Sequence, residues 1–139
     1  FEDVFQLNVI PKFVTSFDEW KTAFLQLQQE ADVIIFGPAT FSDWDEQAAI
    51  ELVEARSTIP SGVYNDFLTP IALVGYVKVP EEQGEWAAQA ALKILAGTSP
   101  ADIPVATNTK GKIYLNMRIA ETLGVKFPLK LVKQATLIK

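Results

Sequence analysis

The chain has no histidine and no cysteine among its 139 residues. Without histidine it lacks the side chain that most often acts as a general base or binds a metal near neutral pH. Without cysteine it can form neither disulfides nor thiolate metal sites. Glycine-rich phosphate-binding motifs and a nucleophile elbow are also missing from the sequence. We therefore expect no enzyme activity, no bound metal and no cofactor.

Long apolar runs and basic clusters are missing as well. No run approaches the roughly 18 residues that a membrane helix needs. The formal net charge is −5, and Lys126, Lys130, Lys133 and Lys139 are spaced as on the solvated face of a terminal helix. Because phosphate contacts supply most of the affinity for nucleic acids, such an acidic chain is not expected to bind them. The apolar content of 49% indicates a single globular domain over residues 1–139.

Short apolar segments alternate with amphipathic ones along the chain. A β-branched and aromatic segment at 7–15 predicts a first strand, and Pro11 either interrupts its middle or places it at a sheet edge. Further strands are predicted at 32–36, 62–64, 71–78 and 112–115. Strands that alternate with helices indicate an α/β fold with a mostly parallel, doubly wound sheet flanked by helices.

The helices are marked by their capping residues. Ser16 and Glu19 form a capping box, and Trp20 and Phe24 then follow at the spacing of a core-facing stripe. Four more helices are predicted. They begin at Ser42 or Asp43, at Pro80, at Asn116 and at Pro128, with Gly97 and Gly124 as ends of the second and third of these.

Small-molecule sites in open α/β sheets lie beyond the carboxyl ends of the strands. The predicted strand ends carry hydroxyl, amide, carboxylate and aromatic groups of the kind that recognise small solutes. These candidate ligand-binding residues are Thr40, Phe41, Tyr64, Asn65, Asp66 and Tyr76. The same residue types are also ordinary turn formers, and that alternative stays open.

The order of several blocks resembles the ABC-transporter substrate-binding protein family, which has the periplasmic-binding-protein type I fold. Residues 31–36, 59–64 and 73–100 are similar to its strands and to its alanine-rich helix ending in Ile-Leu-x-Gly. The pattern Asn116, Ala120, Leu123, Gly124 and then Pro128 is similar to its C-terminal motif.

The resemblance implies a two-lobed extracytoplasmic receptor. Such proteins hold a small solute, in some cases an aromatic amino acid, between their lobes and deliver it to a membrane permease. They are periplasmic, or anchored to the membrane in Gram-positive bacteria, and their precursors carry a signal peptide. Related domains serve as ligand sensors of membrane-bound histidine kinases or cyclases, which is the alternative function. A terminal helix just before Lys139 would favour the transporter component.

Two departures from the family pattern qualify these expectations. Pro38, Ala39 and Thr40 stand where the family often has an Asp-Asn pair, so the usual polar contact there is in doubt. The chain is also about half as long as a full receptor, so we expect a fragment that contains the C-terminal lobe without its first strand and helix. The helix at 81–96 packs on the other lobe in the family. Its uncovered apolar face, with Trp86, therefore predicts a homodimer of the isolated fragment.

Overall fold

A computed structural model describes residues 6–139 as a mixed sheet with helices packed against it. The five strands follow one another across the sheet in the order of the sequence. They are β1 (Ile34–Phe36), β2 (Ser61–Val63), β3 (Val74–Lys78), β4 (Gly111–Asn116) and β5 (Thr136–Ile138). Only β3 and β4 are antiparallel; the other neighbouring pairs are parallel. The predicted mostly parallel α/β fold is confirmed.

Within residues 6–139, five α-helices and two short 3-10 helices accompany the strands. The α-helices are α1 (Phe17–Glu30), α2 (Glu46–Arg56), α3 (Pro80–Leu95), α4 (Met117–Thr122) and α5 (Leu129–Val132). The 3-10 helices span Asp66–Ile71 and Pro100–Asp102.

Helix α1 begins at a point where side chains accept hydrogen bonds from its unpaired backbone N–H groups. Ser16 Oγ accepts a hydrogen bond from Glu19 N at 3.3 Å, as the capping box predicts. The Glu19 carboxylate bonds Thr15 instead, through its backbone N–H at 2.8 Å and its hydroxyl at 2.9 Å. Asp43 Oδ2 accepts from Phe17 N at 3.0 Å, so a residue from a later loop completes the cap.

The core lies between one face of the sheet and helices α1, α2 and α4. Trp20 stacks on Phe24 with ring centroids 5.7 Å apart, and both rings are buried, which confirms them as core residues. Because side chains alternate along a strand, Ile34 and Phe36 point into this core while Ile35 remains exposed on the opposite face.

One predicted element is absent and two others are wrong in part, since the helices predicted up to Arg56 and from Pro128 do form. Residues 7–15 form no strand: they run as an extended, largely exposed segment, and β1 is the last strand on that side of the sheet in residues 6–139. Helix α2 begins at Glu46 with Asp45 as its N-cap, because Asp43 is bonded to α1. The chain ends in strand β5 and not in a helix, because residues 136–138 pair with β4.

Helix α3 stands apart from this core. It begins at Pro80 and is followed by Gly97 at φ 100°, as predicted, but none of its side chains is buried. Large apolar residues on it are exposed, among them Trp86 at 43% and Leu95 at 84%. The helix leaves the sheet at the end of β3, and the segment at 103–110 returns the chain to β4.

Candidate functional site

The carboxyl ends of β1, β2 and β3 meet at one edge of the sheet. Phe36 pairs with Val63, and Val63 pairs with Gly75, so the residues that follow β1 and β2 lie beside the second half of β3. This parallel arrangement brings the predicted residues after β2 and in β3 to a common edge. Strands β4 and β5 run in the opposite direction to β3, so α4, which follows β4, lies at the other edge.

Two tyrosines mark this edge. Tyr64 directly follows β2, and Tyr76 lies in β3 on the same sheet face as Val74, Gly62 and Ile35. Their exposed fractions are 47% and 60%, so both rings lie at an open surface. Neither ring stacks on another aromatic ring of residues 6–139.

The turn after β2 supplies polar groups. Asp66 Oδ1 accepts a hydrogen bond from Phe67 N at 2.9 Å, which fixes the carboxylate at the start of the 3-10 helix. Asn65 precedes that helix without capping it, and its side-chain Nδ2 atom is buried with no hydrogen-bond partner in the described part of the chain. A buried donor without an acceptor is costly, so this amide is available to a group that reaches it.

The loop after β1 is arranged differently. Thr40 is exposed, whereas Phe41 is partly buried and meets the Trp44 ring edge-on, with centroids 5.7 Å apart. Phe41 also lines a pocket of about 340 Å³ beside β1, together with Phe13, Ile35 and Ala39. Packing against the core is therefore sufficient to explain the position of Phe41, without a ligand contact.

Glu82, in the first turn of α3, was not among the residues selected from the sequence. Its carboxylate accepts bonds from the Thr109 hydroxyl at 2.5 Å and from the backbone N–H groups of Thr109 and Lys110, each at 3.0 Å. A further bond comes from Asn108 Nδ2 at 3.3 Å. These donors, above all the Thr109 hydroxyl, lower the pKa of Glu82 from 4.5 to about 2.

The Glu82 contacts join α3 to the returning segment. Two stretches connect the sheet with this part of the chain: Lys78–Pro80 leads from β3 into α3, and Lys110–Gly111 leads from the returning segment into β4. We call these two stretches the neck. The last β3–β4 pair is Lys78 with Gly111, and the Glu82 bonds lie just beyond it. The acidic residue in the first turn was visible in the sequence, but its partners lie 27 and 28 residues away and no local pattern indicates them.

Lys78 and Gly111 are two further residues that the sequence did not single out. Lys78 lies two residues beyond Tyr76 on the same face, is exposed, and takes part in none of the ion pairs within residues 6–139. Gly111 is covered by the Tyr76 ring. An isolated glycine beside a strand pattern is the signal that could have indicated such a close approach.

The described residues show neither a metal site nor a membrane span. No group of three or more acidic residues in positions 6–139 is arranged to hold a metal ion. Among the helices of that same stretch, none is both long enough and apolar enough to cross a bilayer.

Comparisons with solved structures show the same fold in three longer chains. A ligand-free, open substrate-binding protein with adhesive properties from Clostridium difficile (CD0873) is 24% identical, with a TM-score of 0.69 over 99% of this chain. An ABC domain in complex with L-Trp from Streptococcus pneumoniae is 23% identical, with a TM-score of 0.64 over 96% of this chain. A conserved domain protein from Vibrio cholerae is 19% identical, with a TM-score of 0.62 over 99% of this chain.

The chain spans about half the length of these structures, at 46%, 45% and 47% of each in the same order. Among curated protein sequences, none matches the chain. The sequence model of the family described as ABC transporter substrate binding protein matches residues 5–139. This family consists of proteins that bind substrates for transporters, and the match extends over nearly the whole sequence. The chain belongs to the ABC transporter substrate-binding protein family.

Proposed function

We propose that the chain is the C-terminal lobe of a two-lobed extracytoplasmic solute-binding protein. In this proposal a small molecule lies at the carboxyl edge of β1–β3, is enclosed by a second lobe, and is delivered to the permease of an ABC transporter. The observation that carries the proposal is the family match over residues 5–139 of a chain half as long as its solved relatives.

Helix α3 supports the two-lobed arrangement. A helix of 16 residues with no buried side chain cannot derive its stability from this lobe, because most helical stability in proteins comes from packing. Its apolar side chains, including Trp86, Leu92 and Leu95, would be covered by the other lobe. The neck would then be the crossing between lobes, where closure on a solute bends the chain.

The edge of the sheet favours a solute with both apolar and polar parts. Tyr64 and Tyr76 offer aromatic surface, and Asn65 offers an unpaired amide donor. An amino acid combines these features, and the Streptococcus relative is described with L-Trp bound. A sensor domain of a membrane-bound kinase or cyclase would use the same edge, but the family match favours the transporter component.

Calorimetric binding to the full-length protein tests this proposal. The probe is L-tryptophan, followed by other amino acids, nucleosides and sugars. Substituting Tyr64→Ala should weaken binding by about tenfold, the equivalent of one lost aromatic contact. Glu121→Ala, at an exposed position of α4 at the opposite edge of the sheet, is the control and should leave the affinity unchanged. If no small solute binds, the proposal is wrong.

The isolated chain offers a separate test of α3. An exposed apolar face of this kind promotes association, so residues 1–139 produced alone should dimerise through α3. Light scattering measures this, and Leu92→Glu should shift the population towards monomer. Leu129→Glu, at an equally exposed leucine in α5, should not. A folded monomer at all concentrations would contradict the expectation.

A further inference from the structure

The ring of Tyr76 lies across the neck against Gly111. In the β3–β4 ladder Tyr76 pairs with Ile113, and Gly111 pairs with Lys78, so the tyrosine and the glycine are diagonal neighbours. A Cβ atom placed on Gly111 would lie 2.3 Å from Tyr76 Cζ, 2.6 Å from its hydroxyl oxygen and 2.7 Å from Cε2. Any side chain at position 111 would therefore displace the end of the ring.

This contact selects one position for an otherwise free side chain. An exposed tyrosine samples several rotamers, and each immobilised side chain costs binding energy when a ligand fixes it. Tyr76 is 60% exposed, yet its hydroxyl end rests on β4. An aromatic ring that covers a cross-strand glycine also stabilises the pairing of the two strands. The ring is thus held in place before any solute arrives, and most of its surface stays open.

The Tyr76 ring lies where a solute held between two lobes would contact this lobe. Tyr76 lies in β3, two residues before Lys78, where the chain leaves the sheet for α3. Just beyond, the Glu82 carboxylate holds the returning backbone at Thr109 and Lys110. The ring therefore lies beside the neck, between the β3–β4 pairing on one side and the Glu82 hydrogen bonds on the other.

We propose that Gly111 is a positioning residue for Tyr76, and that the ring fixed in this way is the surface on which the flat part of a solute packs. This inference rests on the proposed solute-binding function. In this inference the fixed ring is what makes a solute with a planar aromatic or heteroaromatic group bind in preference to an aliphatic one of similar size. Gly111 makes no contact with the solute and acts through the tyrosine.

Calorimetry on the full-length protein with L-tryptophan and L-leucine tests the inference. We expect Gly111→Ala to weaken L-tryptophan binding by about tenfold, the effect of one misplaced aromatic contact, and L-leucine binding much less. Gly84→Ala is the matched control, since an added Cβ there has no atom within 4 Å. It should leave both affinities unchanged.

A double-mutant cycle separates positioning from a general structural effect. Tyr76→Leu should weaken L-tryptophan binding as much as Gly111→Ala does, and adding Gly111→Ala to Tyr76→Leu should cause no further loss. If Gly111→Ala does not fold, variants at the exposed Tyr76 still test the inference. NMR of the unaltered protein should then show an upfield ring-current shift of the Gly111 Hα protons, and this shift should be lost in Tyr76→Leu.

The outcomes are distinct. If Gly111→Ala lowers the L-tryptophan affinity equally in proteins with and without the Tyr76 ring, the positioning role of Gly111 is overturned. Unchanged L-tryptophan affinity in Tyr76→Leu, or tighter binding of L-leucine than of L-tryptophan to the unaltered protein, would overturn the preference for planar solutes while leaving solute binding intact. If the unaltered protein binds no solute at all, the proposed function fails and this inference fails with it.

Discussion

The carboxylate of Glu82, at the start of α3, accepts a hydrogen bond from the backbone N–H of Lys110 at 3.0 Å, although 28 residues separate the two in sequence. The same carboxylate bonds Thr109 through both its backbone N–H and its hydroxyl. The start of the outgoing helix and the end of the returning segment are therefore fixed to each other. In the proposed two-lobed receptor, closure of the lobes would then bend the chain within the neck.

Removing the Glu82 charge should loosen the returning segment. Charge-assisted hydrogen bonds are about twice as strong as neutral ones, so Glu82→Gln should raise amide hydrogen exchange at Thr109 and Lys110 severalfold. Glu85→Gln on the same helix is the matched control, because the Glu85 carboxylate takes part in none of the hydrogen bonds described for residues 6–139. Unchanged protection in Glu82→Gln would mean that other contacts hold the segment.

Acid should release the same contact at an unusually low pH. The folded-state pKa of Glu82 is lowered from 4.5 to about 2, so the carboxylate stabilises the folded state above pH 4.5. That contribution is lost as the pH falls from about 4.5 to about 2. An NMR titration of the carboxyl carbons should therefore give Glu82 a midpoint near 2. A midpoint at the ordinary value would show that the Thr109 and Lys110 bonds do not persist in solution.

Leucines inside and outside the core should differ sharply in their contribution to stability. Leu115 in β4 is fully buried, whereas Leu95 at the end of α3 is 84% exposed. In residues 1–139 produced alone and kept monomeric by Leu92→Glu, Leu115→Ala should lower the free energy of unfolding by about 2–5 kcal/mol, and Leu95→Ala by about 0.5 kcal/mol or less. Urea unfolding followed by tryptophan fluorescence measures both. A large loss in Leu95→Ala would show that α3 already packs within this chain.

Asn116 should be the most sensitive polar position. Its side chain is fully buried: Oδ1 accepts from Arg118 N and Ile119 N at 3.1 and 3.2 Å, and Nδ2 donates to the Pro70 carbonyl at 2.8 Å. Asn116→Ala removes the helix cap and leaves the partly buried Pro70 carbonyl without this donor, so it should cost about 2–4 kcal/mol. The exposed Asn8→Ala serves as control in the same urea titration. A cost below about 1 kcal/mol would contradict this role of Asn116.

Elements with a local cause could be predicted from the sequence. Pro80 and Gly97 mark the ends of α3, and Asn116 marks the start of α4, because caps are set by residues within a few positions of the helix end. The apolar run at 32–36 predicted β1 for a similar reason.

The elements that were missed depend on distant partners. Strand β5 has three residues and exists because β4 lies beside it, whereas residues 7–15 have a strand-like composition but no neighbouring strand in the described part of the chain. Asp43 was assigned to α2 because the sequence does not show that Phe17 offers it a donor. The Glu82 and Gly111 contacts are of the same nonlocal kind.

The most direct test of the account is a thermal-shift measurement on the full-length protein with a panel of amino acids, nucleosides and sugars. A solute present at 100 times its dissociation constant should stabilise the folded protein by about 2.7 kcal/mol, a clear rise in melting temperature. We expect such a rise with at least one solute, largest for one that carries a planar ring. A melting temperature that no solute in the panel changes would contradict a solute-binding role for this chain.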